Sequence, residues 1–162
     1  TLADRERSFA AFHSRIERMR ERDQRGFLVP MVAACAAEAA LDNDRIEDAL
    51  LAVAYGEHVA NESGELSYLG TLRHLHGRAL EAGGQRDADM ALTEHRAALD
   101  ICRQQGRHWT GLLPAERSAR LLAERGERSQ AIDVLTTSLA TFPDDLHRPR
   151  IERARGLLTE LS

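Results

Sequence analysis

The chain has 162 residues, of which 26 are acidic and 22 basic, and its formal net charge is −4 at pH 7. This length fits one domain, and the slight negative charge provides no basic field for nucleic-acid binding. Every basic residue is arginine, so the chain lacks the lysine of a P-loop, a Schiff base or a Ser–Lys catalytic pair. The aromatic content of 4% favours a core built from close helix–helix contacts.

The cysteine content and the hydropathy of the chain indicate its cellular compartment. Cys35 and Cys102 fall on different predicted helices, and two thiols in a chain of this length do not make a disulfide framework. The longest apolar run, residues 27–37, contains Pro30 and is shorter than the ~20 residues of a membrane span. No signal peptide is visible, and the chain begins at Thr1 rather than Met. We therefore expect a piece of a longer protein that is cytoplasmic and makes no membrane contact.

Apolar residues recur every three to four positions, a period that predicts helices throughout and no strand. Residues 1–25 are predicted to form a leading helix with a narrow apolar stripe that includes Phe9, Phe12, Ile16 and Met19. Such a helix suits the second half of an interrupted repeat, and a coiled-coil seam is the alternative. If part of the stripe is uncovered, we expect the chain to self-associate as a homodimer.

Breaker residues divide the rest of the chain into three helix pairs and a closing helix. The turns fall at residues 42–44, 63–64, 83–84, 106, 126 and 142–145. The predicted pairs span residues 27–61 (helices 27–41 and 45–61), 65–105 (helices 65–82 and 88–105) and 109–141 (helices 109–125 and 129–141). The closing helix lies within residues 146–162. All of these elements are assigned to a single domain, residues 1–162.

Small residues recur at a regular spacing in the three pairs. The positions are Ala37, Ala49 and Gly56; Gly77, Ala91 and Ala98; and Ala119, Ala131 and Ser138. Small residues at these intervals in two consecutive helices are typical of a tetratricopeptide helix pair, although the repeat here exceeds the usual length of about 34 residues. We predict an all-α fold, a right-handed superhelical solenoid of antiparallel helix pairs with about eight helices.

Three stretches carry a resemblance to a known family: RSARLLAERGERSQAIDVL, LRHLHGRALEAGG and CRQQGRHW. They resemble the tetratricopeptide block on the C-terminal side of large bacterial ATP-binding regulators. These regulators include MalT-like and LuxR-type transcriptional regulators and multi-domain class III nucleotide cyclases. The resemblance covers residues 27–161 and is sharpest over 101–139. Two features depart from the pattern: the turn at 83–89 is about two residues longer than its counterparts, and Asp44 stands where other turns favour glycine.

The resemblance implies a role as well as a fold. In that family the helical repeats are not catalytic; they sense an inducer or a protein and gate an ATPase domain upstream. We therefore expect a regulatory or protein-interaction domain of a bacterial signalling or transcription-regulatory ATPase. Its partner would be a protein, a peptide, or the upstream ATPase or output domain of the same chain. The chain itself contains no P-loop, cyclase motif or DNA-binding helix-turn-helix, so the output domain stays open.

In stacked helix pairs the first helices line a concave groove, and the spacing identifies the residues that face it. The predicted partner-binding or ligand-binding residues are Glu38, His74, Arg78, Glu116 and Arg120. Two arginines and a histidine in one groove are suited to a carboxylate or an acidic peptide. One alternative is a merely polar groove, in which Glu116, Arg120 and Glu124 form a solvated ladder. Another is a small-molecule inducer, which needs a closed pocket of a few hundred Å³.

Other candidate sites have simpler explanations. His74 and His76 are two residues apart on a helix and point about 200° away from each other, so we expect no metal site. No Gly-x-Ser-x-Gly motif is present, and we predict neither an enzyme nor a cofactor. Trp109 is expected to be a packing anchor. The closing helix is basic and is expected to form the polar outer face of a terminal repeat rather than a nucleic-acid site. Its arginines are Arg148, Arg150, Arg153 and Arg155.

The middle pair is predicted to be the least stable part of the domain. His76 and His95 occupy positions where such repeats normally carry apolar groups that face each other between the two helices. Burial disfavours a charged imidazole, so acid would destabilise this pair. The alternative is that both rings reach solvent and titrate normally.

Overall fold

The computed structural model describes residues 28–83 and 88–162, together with Ser14. In these ranges the chain forms seven α-helices, a short 3-10 helix (Leu66–Tyr68) and no strand, which confirms the predicted all-α class. The helices are α1 (Leu28–Leu41), α2 (Ile46–Ser63), α3 (Leu69–Gly83), α4 (Ala88–Gln104), α5 (His108–Glu124), α6 (Arg128–Leu139) and α7 (Pro149–Leu161). The predicted leading helix and its apolar stripe lie outside the described residues.

Two helix starts differ from the prediction, and each has a local cause. The helix predicted from residue 65 begins with the 3-10 turn, because the Glu65 carboxylate accepts a hydrogen bond from the Ser67 backbone N–H at 3.1 Å. The closing helix begins at Pro149 rather than at residue 146. Proline suits the first helical position, where its missing N–H has no partner to lose. The preceding residue, Arg148, is extended (φ −131°, ψ 142°), as proline requires.

The turns after α1, α4 and α5 share one backbone geometry. Each contains a residue in the left-handed region: Asp44 (φ 57°), Gly106 (φ 66°) and Gly126 (φ 78°). The next backbone N–H then donates to the carbonyl five residues earlier, which satisfies a carbonyl at the helix end. These bonds are Arg45 to Ala40 (2.9 Å), Arg107 to Cys102 (2.8 Å) and Glu127 to Leu122 (2.9 Å). The prediction that Asp44 occupies a glycine position is confirmed, and aspartate tolerates it better than most residues.

The helices pack in a regular order. Each helix contacts the one that follows it in the chain. In addition, α1 contacts α3, α3 contacts α5, and α5 contacts α7, whereas α2, α4 and α6 make no comparable contacts among themselves within residues 28–83 and 88–162. We call α1, α3, α5 and α7 the first-helix row, and α2, α4 and α6 the second-helix row.

The predicted small positions lie where helices approach closely. All nine are buried. A Cβ atom added at Gly56 would lie 2.8 Å from the Ala33 Cβ, and one added at Gly77 would lie 2.5 Å from the His95 Cε1. Real Cβ atoms do not approach so closely, so a larger residue would require helix α1 to shift at Gly56 and the His95 ring to move at Gly77.

Two apolar clusters form the core. The N-terminal core consists of Ala33, Ala34, Ala36, Ala37, Ala40, Ala49, Ala52, Val53, Leu72 and Leu75. The C-terminal core consists of Ala91, Leu92, Leu112, Ala119, Leu121, Leu122, Ala131, Leu135, Ile151, Ala154 and Leu157. In the part of the chain that the structure describes, every helix is too short or too polar to cross a bilayer.

Candidate functional site

Ion pairs join successive helices of the first-helix row. Each pair links an arginine to a carboxylate on, or just after, the preceding helix of that row. The pairs are Arg78 with Asp42 (3.3 Å), Arg117 with Glu81 (3.4 Å) and Arg153 with Glu116 (3.6 Å). This ion-pair series makes the row a polar surface in which most charges already have a partner.

All five predicted groove residues lie on the first-helix row, but the structure does not gather them into one site. Glu38 on α1 and Arg78 on α3 approach to 3.8 Å. Glu116 and Arg120 share α5, where Arg120 is exposed and Glu116 is only 9% exposed. His74 is 5% exposed and lies against His95 of α4, so its ring is not part of an open surface.

Glu116 is a carboxylate that is poorly compensated. Its Oε1 is buried, and no residue that the structure describes forms a hydrogen bond with it. Burial raises the pKa of Glu116, and the guanidinium groups of Arg153, Arg120 and Arg150 oppose that shift. We call these three residues the arginine cluster. It lies where α5 meets α7, and one partly desolvated carboxylate faces three cations there.

Trp109 extends the arginine cluster with an aromatic surface. The Arg150 guanidinium lies over the Trp109 ring at 5.2 Å and donates a hydrogen bond to the Trp109 carbonyl at 3.3 Å. Phe142 contacts the same ring edge-on, with 6.3 Å between centroids. Trp109 therefore packs as predicted, yet it remains 44% exposed. Sequence reasoning missed the contact with Arg150, because no local pattern links residues 41 positions apart.

The predicted pairing of His76 with His95 is wrong, because His95 pairs with His74. The two Nδ1 atoms are 3.2 Å apart, and the His95 ring is fully buried. His76 instead lies 3.6 Å from Glu94. On a helix, residue 74 shares a face with Gly77, whose missing side chain makes room for the His95 ring, whereas residue 76 points about 100° away from Gly77.

Glu81 completes a buried network with the two imidazoles. Its Oε1 lies 2.6 Å from the His95 Nε2. An ionised carboxylate only accepts hydrogen bonds, so the His95 Nε2–H donates to Glu81, and one of the two Nδ1 atoms of the histidine pair donates to the other. Burial lowers the pKa of His74 well below its usual value, and the neighbouring His95 lowers it further. The network places polar groups between α3 and α4, where the two apolar cores meet.

A second polar group lies on α3, between α2 and α4. Arg73 lies 3.0 Å from both the Glu57 and the Glu94 carboxylates. Burial raises the pKa of Glu57, although Arg73 opposes the shift. Arg73 therefore links three helices through charged groups that have little solvent around them.

The chemistry available to these groups is limited. Among the described residues, no cluster of three or more His, Cys, Asp or Glu side chains is arranged to hold a metal ion. Cys35 is exposed and Cys102 is buried, and both are free thiols. Within the same residues, the ring of His95 contacts only His74 and Glu81 through hydrogen bonds, and no hydroxyl or thiol forms a hydrogen bond with either histidine ring.

Comparison with protein-family models, curated proteins and solved structures finds no match to this chain.

Proposed function

We propose that this chain is a non-catalytic helical-repeat domain that binds an acidic peptide segment of a protein partner. The binding surface is the arginine cluster together with the exposed face of Trp109, at the end of the first-helix row formed by α5 and α7. By resemblance, the parent protein is a bacterial signalling or transcription-regulatory ATPase that works in the cytoplasm. A small-molecule inducer in a concave groove remains the alternative.

The order of helix packing supports the repeat architecture. In a right-handed solenoid of antiparallel helix pairs, each helix contacts the next, and only the first helices stack against one another in addition. The contacts within and between the two rows follow this order. The buried small residues recur in the three pairs, and the same turn geometry recurs after α1, α4 and α5.

The arginine cluster is the observation that carries the binding proposal. Arg120 forms no ion pair with a carboxylate in the ranges described by the structure, and Arg153 is 3.6 Å from a Glu116 carboxylate whose pKa is raised. These guanidinium groups therefore keep hydrogen-bond donors for an incoming carboxylate, which arginine binds in bidentate geometry. The exposed face of Trp109 adds an apolar contact of the kind found at the centre of interfaces.

A fluorescein-labelled peptide of alternating acidic and leucine residues tests the proposal by fluorescence anisotropy. Arg120→Glu should weaken binding by about tenfold, because it replaces an attractive charge with a repulsive one. Arg96→Glu is the matched control, since Arg96 is exposed on α4 in the second-helix row and its hydrogen bond to Gln130 lies away from the arginine cluster. The free energy of unfolding should change by no more than about 0.5 kcal/mol in Arg120→Glu and by about 1 kcal/mol in Arg96→Glu, which loses that hydrogen bond. Equal loss of binding in the two variants, or equal binding of a peptide with glutamine in place of the acids, would show that the cluster is not the site.

A further inference from the structure

A pocket of 180 Å³ lies between α4, α5 and α6. Its lining includes Leu99 and Arg103 of α4, His108 and Gly111 of α5, and Thr137 and Ser138 of α6. None of these residues belongs to the arginine cluster. The pocket therefore presents a site that is separate from the proposed peptide surface.

The size and lining of the pocket limit what it can hold. The lining of the pocket is mainly apolar and includes Leu99, Cys102 and Gly111, of which Leu99 and Cys102 are almost completely buried. An apolar cavity of about 150 Å³ accepts a benzene molecule, so this one suits a ligand of roughly eight non-hydrogen atoms. Such a ligand is much smaller than a peptide segment.

Ser138 supplies a polar group without a partner at this pocket. The residue is 6% exposed, and its Oγ is buried and forms no hydrogen bond with any residue that the structure describes. A buried hydroxyl without a partner destabilises the fold, so an acceptor supplied by a ligand would recover stability. The neighbouring Thr141 hydroxyl does not serve this purpose, because it donates to the Ser138 carbonyl at 2.8 Å.

The pocket lining includes a cation, Arg103. Arg103 is exposed, and its guanidinium is 3.7 Å from the Asp100 carboxylate, which leaves most of its donors free for a ligand. Helix α5 begins at His108, and the side chain of its N-cap residue, Arg107, makes no capping hydrogen bond. The first N–H groups of α5 therefore keep their donors and the positive end of the helix dipole at the pocket.

We propose that this pocket binds a small aliphatic monocarboxylate. Its carboxylate accepts hydrogen bonds from Arg103, the first turn of α5 and the Ser138 hydroxyl. Its short hydrocarbon chain lies against Leu99 and Gly111. The site makes use of a buried hydroxyl and an uncapped helix N-terminus, together with a cation whose one carboxylate partner is 3.7 Å away.

Titration with sodium hexanoate tests this inference, with ¹H–¹⁵N chemical shifts as the readout and 1-hexanol as the neutral control of equal chain length. Hexanoate should shift the amides of residues 108–111 and 137–141 in a saturable manner, and hexanol should bind about tenfold more weakly. Arg103→Gln and Ser138→Ala should each weaken hexanoate binding by about fivefold. Ser138→Ala preserves the small residue that packing requires, and exposed Arg103 tolerates glutamine, so both variants are expected to fold.

The inference would be overturned by the absence of a saturable shift with hexanoate, by hexanol binding as tightly as hexanoate, or by wild-type hexanoate affinity in both variants. Arg120→Glu should leave hexanoate binding unchanged, because Arg120 is not part of the pocket lining. Loss of hexanoate binding in that variant would also count against the site. Failure of the peptide experiment, in contrast, leaves this pocket unaffected.

Discussion

The two apolar cores both hold helices together, but they do so with different side chains. Seven of the ten residues in the N-terminal core are alanine, whereas seven of the eleven in the C-terminal core are leucine or isoleucine. Alanine buries little area per residue, so the N-terminal core depends on helices that approach closely over many short contacts. The C-terminal core depends on a few large side chains that fill space. The first core should be sensitive to added atoms, and the second to removed atoms.

A polar boundary lies between the two cores. His74, His95 and Glu81 form a buried network between α3 and α4, and Arg73 links Glu57 with Glu94 nearby. Buried polar groups that are hydrogen-bonded hold helices in one arrangement, but they contribute less stability than apolar packing. We predict that α3 and α4, the helices on either side of this boundary, lose stability in acid sooner than α5 and α6.

The largest expected effect is a loss of volume in the C-terminal core. Leu122 is fully buried, and Leu122→Ala should lower the free energy of unfolding by about 2–5 kcal/mol, through lost burial and the cavity left behind. Leu51→Ala is the control, since Leu51 is 63% exposed and its loss should cost no more than about 0.5 kcal/mol. Urea unfolding measures both. Similar losses in the two variants would show that the C-terminal core is not tightly packed.

The next effect is an added methyl group in the N-terminal core. In Gly56→Ala the new Cβ would lie 2.8 Å from the Ala33 Cβ and 2.9 Å from the Leu72 Cδ2, and overpacking should cost about 1–3 kcal/mol. In Gly156→Ala, on α7, the Cβ meets no atom within 4 Å, so the better helix propensity of alanine should stabilise the fold by up to about 1 kcal/mol. The midpoint temperature of thermal unfolding should therefore fall in Gly56→Ala and rise in Gly156→Ala. A stabilised Gly56→Ala would contradict the close approach of α1, α2 and α3.

The polar boundary should make stability depend on pH. Because the folded pKa of His74 is lowered, the unfolded chain takes up a proton more readily. The contribution of His74 is therefore complete above its unfolded pKa of about 6.5 and is lost as pH falls below it, at up to about 1.4 kcal/mol per pH unit. The charges of His95, Arg78, Arg117 and Arg150 lower the folded pKa of His74 further, and Glu81 lies beyond His95.

Hydrogen exchange at about pH 7.5 and about pH 5.5 measures this effect. Amides of α3 and α4 should exchange sooner than those of α5 and α6, and more so at the lower pH. The raised pKa values of Glu57 and Glu116 act in the opposite direction, because carboxyl groups of this kind stabilise the fold as pH falls. His74→Leu removes the imidazole, so the amide exchange of α3 and α4 should then differ much less between the two pH values. An unchanged pH dependence in that variant would refute the role of the network.

The smallest expected effect concerns the ion-pair series. Arg78→Gln removes the pair with Asp42 and should cost at most about 1 kcal/mol at low salt, and less at high salt, where surface charges are screened. Arg153→Gln should cost less, because its side chain is 60% exposed and its distance to Glu116 is 3.6 Å. Chemical unfolding at two salt concentrations compares the variants. If the loss of unfolding free energy does not change with salt concentration, the arginine acts through packing and not through its charge.

Much of the backbone was predictable from the sequence because its causes are local. Apolar residues at helical spacing predicted the described helices, and the two helix starts that differ by more than one residue have a local cause at Glu65 and at Pro149. The small positions were predictable as well, because close helix packing requires them in each pair. Asp44, the one residue other than glycine among the three left-handed turn positions described above, was also recognised, because glycine occupies the equivalent turns.

Only the tertiary structure decided which side chains meet. His95 contacts His74 rather than His76, because one residue along a helix turns a side chain by about 100° and the spacing rule did not resolve that rotation. Glu116 was assigned to an open groove, yet it is buried close to α7. The pocket is lined by residues of three helices, and the arginine cluster is formed by residues of α5 and α7. Such contacts depend on how distant helices rotate and cross, and no pattern within a single helix encodes that.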